Sequence, residues 1–448
     1  AGPAQVDVKA SGANTVDVTV YEGFNGNPTV TIPGLPFTVE QGKTMLYGAF
    51  SGTVANDQLN ANLTVDGTVQ NGVLRLNIKM KALEEEVPTG PRTELEKADP
   101  ITVKVAVVVE DPVVKDGKRL HELVRGWKEP IQHYKNVQDS LESASHGVVK
   151  YEIVEVFDDG TLWTYFTEDT NKEDAEKYFT PERLYQYFVT EPAENNGQWV
   201  TIKEHEKNGT IKYDYVAMVD HFGLDEMCQS GTVDEVWVCS FSVNGMWESN
   251  FVAKEGGFWL NSSPTTSSKL SNTKLLTVMY YNLERGIAEA IHSNGHRMES
   301  VMKHVYDDRW VTVNRTEYLK NSWVTLNNWE KYSTYDMVIP GKAYIGNIHF
   351  PANGVFDYDY SNTTSVPCYR KAWKYYPDIR MLEEDKEMVN GSTWAAMGGG
   401  DHQLGCMMNF FSHLPNKKGI NPKDGKLNNW WYYMVQWEEA NDAEKAGI

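Results

Sequence analysis

Residues Lys274–Val305 read KLLTVMYYNLERGIAEAIHSNGHRMESVMKHV. From Leu275 to Tyr281 the run is apolar and rich in β-formers, the pattern of a buried strand. Asn282 then offers a helix N-cap, and the composition that follows predicts a helix over 283–305. On it Arg285, Glu289, His292, His296 and Glu299 recur at steps of four, three, four and three, which stacks all five on one face. Leu283, Ile287, Ile291, Met298 and Met302 supply a separate apolar stripe. Two imidazoles one turn apart, flanked by carboxylates, suit a metal site or an acid/base site. The ordinary explanation for such a row is a solvated, salt-bridged face. A helix that directly follows a buried strand is largely covered, however, and its beginning lies where α/β proteins place their sites, so the site is favoured.

Outward from this unit the pattern repeats. ITVKVAVVVE at 101–110 is a continuous apolar strand of the parallel, doubly covered type, and a long helical stretch is expected from Gly117 to about Ala144. KYEIVEVFDDG and DEVWVCSFS supply further strands, and KLLTVMYY the fourth. Strands alternating with helices predict an α/β main domain with a largely parallel sheet over 101–448. Its site rim would then gather Glu110, Asp158, the stretch 241–248 and Asn282 onward. Residues 1–85 differ in texture. NTVDVTVY, PTVTI and VLRLNIKM alternate with period two between turn signals, which predicts a small all-β domain preceding the main one, with 86–100 as linker. LNNWWYYMVQWEEA near the C-terminus reads as a closing strand and tail.

Two loops add candidates. NGMWESNFVAKEGGFWLNSSPTTSS, between the third and fourth strands, carries Trp247, Glu248 and Trp259, and long aromatic loops in compact domains tend to wall a cleft. Glu248 is a candidate catalytic carboxylate, with an exposed loop Glu as its plain alternative. NIHFPANGVFDYDYSN holds His349, Asn353 and Asp357 on a turn shaped by Pro351 and Gly354. His349 is a candidate third metal ligand, and Asn353 and Asp357 are candidates for substrate binding beside Arg285, Trp247 and Trp259. Asx turns satisfying themselves around buried tyrosines are the alternative there. GGGDHQLGC around His402 is a weaker candidate.

Composition narrows the class. The 448 residues carry a net charge of -20, which argues against nucleic acid or an anionic membrane as partner. Fourteen Trp and 24 Tyr suit platforms for sugar rings or peptide side chains, although large cores use them too. No run of about 18 apolar residues is present to span a bilayer. The opening AGPAQVDVKASG lacks Met, as a chain does after removal of a signal peptide, and the expected location is extracellular or cell-surface. Cys228, Cys239, Cys368 and Cys406 contain no CxxC pair, so a cysteine-based zinc site is not expected.

The segment IHSNGHRMES resembles the active-site helix of zincin metallopeptidases, in which HExxH gives two zinc ligands. His292 and His296 match those histidines, while Ser293 stands where that family carries its catalytic Glu. The resemblance implies zinc at His292 and His296; beyond it, His349 or Glu299 is a candidate to complete the ligand set and Glu289 or Glu248 a candidate base. The run from LYGAFSGTV to NIKMKAL resembles the lipocalin-like domains at the front of Bacteroidota surface proteins, which implies an accessory role for residues 1–85. A metal-free alternative draws a glycosidase-type acid/base pair from Glu248, Glu289 and Glu299 with Asp234 or Asp357. No GxSxG elbow or phosphate loop appears. The sequence therefore predicts a bacterial secreted or cell-surface hydrolase acting on glycan or glycoprotein, metal-dependent through His292, His296 and His349, with Glu289, His296, Glu299 and Glu248 as catalytic candidates. A non-catalytic glycan- or protein-binding surface protein is the alternative.

Overall fold

A computed structural model describes residues 90–190, 205, 207–306 and 326–447, and the backbone alone for 174–175 and for strands between 5 and 82. Residues 86–89 of the expected linker lie outside the described residues. The chain divides into two compact units, Ala1–Gly90 with Arg309–Lys331, and Pro91–Asp308 with Tyr332–Ile448. In the first, six strands from Gln5–Gly12 to Val73–Ala82 pair antiparallel in sequence order.

The larger unit is α/β. Its six-stranded sheet runs in the order Val149–Phe157, Ile101–Glu110, Glu235–Ser240, Leu276–Asn282, Ser249–Ala253, Thr265–Thr266. The first four strands are mutually parallel, and Ser249–Ala253 lies antiparallel to Leu276–Asn282. Apolar residues on both faces of the central strands explain why they are covered twice. Val236 and Val238 face a layer containing Met218, Val219 and Leu224 from the helices Tyr215–His221 and Leu224–Gln229. Trp237 points the other way, against Tyr151 and Tyr281, and Cys239 reaches the Pro130 carbonyl. On that second face lie the helices Pro130–Ala144, Ile287–Tyr306 and His402–Ser412.

The register brings Glu110, Ser240 and Asn282 level at one rim. Strand order reverses between Ile101–Glu110 and Glu235–Ser240, where open α/β sheets usually receive ligands. Here protein side chains fill that place: Glu110 is fully buried and accepts hydrogen bonds from Ser240 Oγ at 2.6 Å and Tyr213 Oη at 2.9 Å. The site described below sits one strand further along the rim.

Several elements depart from the sequence expectation. Residues 117–144 are not one helix. A hairpin of Val113–Lys115 and Lys118–Arg119 leads into the single turn Leu120–Leu123, and the helix proper begins at Pro130. Gly126, at φ 90°, breaks the path, and Glu129 caps the new start through the amides of Ile131 and Gln132. The insertion after the third strand contains a buried strand, Ser249–Ala253. The C-terminal stretch is a three-residue strand, Leu427–Asn429, followed by the helices Trp430–Val435 and Trp437–Ala446. Asn282 does not cap a helix. Its Oδ1 accepts the Glu284 amide at 2.9 Å in a local turn, and the helix starts only at Ile287, which leaves Arg285 ahead of it. Among the described residues no helix is long and apolar enough to cross a membrane.

The helix Ile287–Tyr306 is tied to the sheet by a buried ion pair. Arg297 Nη2 donates to Glu235 Oε1 at 2.6 Å, and both side chains are 1 % exposed. Asn294 Nδ2 adds a bond to Tyr281 Oη at 3.1 Å. Removing one partner of such a pair strands the other charge, so Glu235→Leu is expected to destabilise the fold by about 3–5 kcal/mol in chemical denaturation.

Burial raises the Glu110 carboxyl to about 7, against the opposing effect of its bonds from Ser240 and Tyr213. Between the ordinary glutamate range and pH 7 the folded protein then holds a proton that the unfolded chain releases. This group's contribution to stability is complete below about pH 4.5 and is lost as pH rises through 7. Glu110→Gln is expected to remove that loss. The stability difference between variant and parent should shift in favour of Gln by about 3 kcal/mol from pH 4.5 to 8, and a pH-independent difference would refute the protonated carboxyl.

Candidate functional site

One face of the helix Ile287–Tyr306 presents His292 and His296, and a loop returning 53 residues after His296 supplies His349. One ring nitrogen from each of the three lies within 4.8 Å of the others, a group that could hold a metal ion. His349 Nε2 is 3.1 Å from His296 Nε2. Ligand nitrogens of a tetrahedral zinc stand about 3.3 Å apart, given bonds of about 2.0–2.1 Å.

Carboxylates hold the far side of two of these rings. His296 Nδ1 contacts Glu299 Oε2 at 3.0 Å, and His349 Nδ1 contacts Asp357 Oδ1 at 3.1 Å. An ionised carboxylate can only accept, so it draws the ring proton to Nδ1 and leaves Nε2 as a lone pair. Two such lone pairs facing each other at 3.1 Å repel unless a proton or a cation lies between them, and His349 Nε2 is also 3.1 Å from Tyr358 Oη, whose proton can satisfy one of the two. The third ring tells the same story: His292 Nδ1 is buried without a hydrogen-bond partner. The donor set therefore fits a cation of the kind imidazoles bind.

Burial and the neighbouring rings push His292 down to about 3, which keeps it neutral and able to act as a ligand. Burial works against charge on His296 too, but its bond to Glu299 outweighs this and raises it. Burial would likewise raise Glu299, yet the His296 contact, Lys303 and the Ile348 amide bring it down to about 2. Glu299 is thus an orienting anion at the back of the group. Arg297 does not neutralise it, being committed to Glu235 on another face.

The loop carrying His349 is built from its own backbone bonds. Asn347 Oδ1 accepts the amides of His349 and Phe350, each at 3.0 Å, and Tyr360 Oη donates to the Ile348 carbonyl at 2.7 Å. Asx turns are therefore present, and they aim His349 at the helix. The approach is close because residue 295 is glycine. A Cβ there would meet Ile348 Cδ1 at 2.1 Å and Cγ1 at 2.7 Å.

A cavity of about 610 Å³ reaches the group at His292, and is lined further by Glu248, Arg285, Glu289 and Ser293 together with Tyr280, Asn282, Ala290, Tyr358, Tyr360 and Gln403. Glu289 Oε2 accepts the Gly286 amide at 3.2 Å, and Glu248 is held by a short hydrogen bond from Asn261 Nδ2. Ser293 Oγ donates to the Glu289 carbonyl at 3.1 Å. The remaining candidates lie elsewhere. Trp247 and Trp259 are 55 % and 57 % exposed and do not line the cavity. Asn353 is buried, with its amide donating to the carbonyls of Asn362 and Thr364 and accepting from Trp394 Nε1. Asp357 reaches the group only through His349. His402 opens the helix His402–Ser412 behind the capping Asp401, and its neighbour Gln403 is the one that lines the cavity. Tyr280, Tyr358 and Gln403 are site residues that sequence reasoning missed. Tyr280 could have been found as the residue two before Asn282, on the same face of the strand, whereas Tyr358 and Gln403 carry no spacing signal.

Gly295→Ala is expected to force Ile348 away, cost about 1–3 kcal/mol by overpacking, and separate His349 from His296. Loss of metal binding with little change in the far-ultraviolet spectrum is the outcome that checks it. Compared with protein-family profiles, curated proteins and solved structures, the chain matches none of them.

Proposed function

We propose that this protein is a metal-dependent hydrolase, with zinc at His292, His296 and His349 and the adjoining cavity as its substrate site. The observation that carries this is the pair of Nε2 atoms 3.1 Å apart, each on a ring whose Nδ1 is held by a carboxylate. Three nitrogen ligands, one of them on the wall of a cavity, suit catalytic rather than structural zinc. Such an ion supplies a water of lowered pKa and Lewis acidity toward a bound oxygen.

The chain's own groups do the rest. Glu289 lies one turn before His292 on the cavity wall and can take a proton from water. Ser293 cannot, because a neutral hydroxyl is too weak a base, and its proton is donated to the Glu289 carbonyl. Glu248, oriented by Asn261, faces the same space and suits protonation of a leaving group. Arg285 lies ahead of the helix on the same wall, where it can bind an acceptor on the substrate.

A glycan or glycoprotein substrate is supported by the polar walls of the cavity, by its size, which suits one or two sugar or amino-acid units, and by the exposed indoles of Trp247 and Trp259. In this proposal the protein works outside the cell or on its surface, and the strands before Gly90 form an accessory β domain. Those same two indoles favour a second reading, a glycan- or protein-binding protein without catalysis, since they lie outside the cavity.

Metal analysis of untagged protein is expected to return one zinc per chain, and His296→Ala or His349→Ala to abolish it. Glu289→Gln should keep the zinc and lower kcat on a glycopeptide panel by about 10²-fold or more. Substoichiometric metal in the parent protein, or full turnover by the Gln variant, would overturn the assignment.

A further inference from the structure

We propose that the Tyr358 phenol is a catalytic hydrogen-bond donor to the substrate oxygen on which negative charge builds during hydrolysis. This rests on the proposed metal-dependent reaction and adds to it a residue outside the metal and carboxylate sets.

Three phenols line the cavity, those of Tyr280, Tyr358 and Tyr360. Two are committed to the backbone, Tyr280 Oη donating to the Phe241 carbonyl at 2.7 Å and Tyr360 Oη to the Ile348 carbonyl at 2.7 Å. Tyr358 Oη instead approaches His349 Nε2 at 3.1 Å. That nitrogen is a lone pair because Asp357 holds the Nδ1 proton, so the phenol donates to it. The same lone pair is the one a cation would take. One lone pair cannot serve both, so a bound cation would free the phenol proton for an acceptor in the cavity that Tyr358 lines.

The backbone holds Tyr358 in an uncommon conformation. Tyr358 has φ 62°, in the left-handed region that bulky side chains rarely enter. A tyrosine needed only as packing has no reason to sit there, and Tyr358 is 51 % exposed. The strained conformation turns its ring onto the imidazoles, with centroids 4.4 Å from His349 and 5.8 Å from His292. Strain of this kind persists where the surrounding structure enforces it, and it clusters at functional sites. The Tyr358 amide donates to the His349 carbonyl at 2.9 Å, which fastens the turn to the ligand loop. No bond to Tyr358 is made or broken: its proton stays on the phenol oxygen, and the gain is a charge-assisted hydrogen bond that strengthens as the oxygen becomes anionic.

Tyr358→Phe keeps the ring and removes the donor. Parent and variant are stripped with chelator, titrated calorimetrically with zinc to one equivalent, and the loaded proteins are then titrated with acetohydroxamate, whose anionic oxygen stands in for the developing charge. Zinc affinity is expected to stay within about threefold or to rise, since the competitor for His349 Nε2 is gone, while acetohydroxamate binding weakens about tenfold or more. Equal acetohydroxamate affinity in the two proteins overturns the role of Tyr358 while leaving the metal reading intact. Loss of zinc in the variant alone also overturns it, making Tyr358 a support of the ligand set. A parent protein that binds no zinc overturns the metal reading itself, and the Tyr358 proposal with it. A thermal melt of each protein separates these outcomes from misfolding.

Discussion

The buried pair of Arg297 and Glu235 sets the rotation of the helix on which everything else depends. Two charges moved out of water bring large desolvation costs, and their attraction offsets these only when the geometry is good. That requirement makes the pair a poor source of net stability and a strict determinant of position. Residue 296 follows the helix about 100° behind residue 297, so fixing Arg297 toward the sheet turns His296 and His292 toward the loop and the cavity. A hydrophobic residue at 297 could hold the helix on the sheet while tolerating small rotations. The ion pair cannot, because a small rotation strands a buried charge.

The same logic governs the imidazole group. Glu299 holds the Nδ1 side of His296, His349 leans on a half-exposed Asp357, and His292 stays neutral through burial. Three rings of one chemical type are therefore kept in different electrostatic states by their surroundings. The arrangement leaves lone pairs converging on one point and no carboxylate pointing into it. An acid/base pair of the glycosidase type would need Glu299 facing substrate. Its two oxygens instead accept from His296 and from the Ile348 amide, so the carboxylates open to the cavity are Glu248 and Glu289 alone among those considered.

The parallel sheet was legible because strands covered on both faces must be apolar throughout, and ITVKVAVVVE has no other ready explanation. The histidine spacing was legible because helical geometry places residues four apart on one face. What failed was punctuation. Asn282 is as good a start for a turn as for a helix, and only the competition for the Glu284 amide decides between them. The strand Ser249–Ala253 was hidden because its polar residues are satisfied by Leu260, Ser263 and Thr265 across a long excursion. Gly295 did carry a signal. A glycine in the middle of a helix costs about 1 kcal/mol relative to alanine, and here that cost is offset by the loop that brings His349 in.

The position of the cavity relative to the sheet has its own cause. In a parallel sheet the strand-order reversal leaves a gap between diverging connections, and ligands enter there by default. In this protein the connections through Tyr213 and Ser240 close the gap around Glu110, whose raised pKa marks how completely water is excluded. The open space moves to the junction where the parallel sheet meets its antiparallel strand. There the Glu248 carbonyl accepts the Tyr280 amide at 3.1 Å, so the entering and leaving chains run side by side and place Glu248 on the same rim as Asn282. A carboxylate carried on an antiparallel entry and imidazoles on the helix that follows a parallel exit can face one another only at such a junction. The mixed edge of the sheet is thus what permits residues so far apart in sequence to share one cavity.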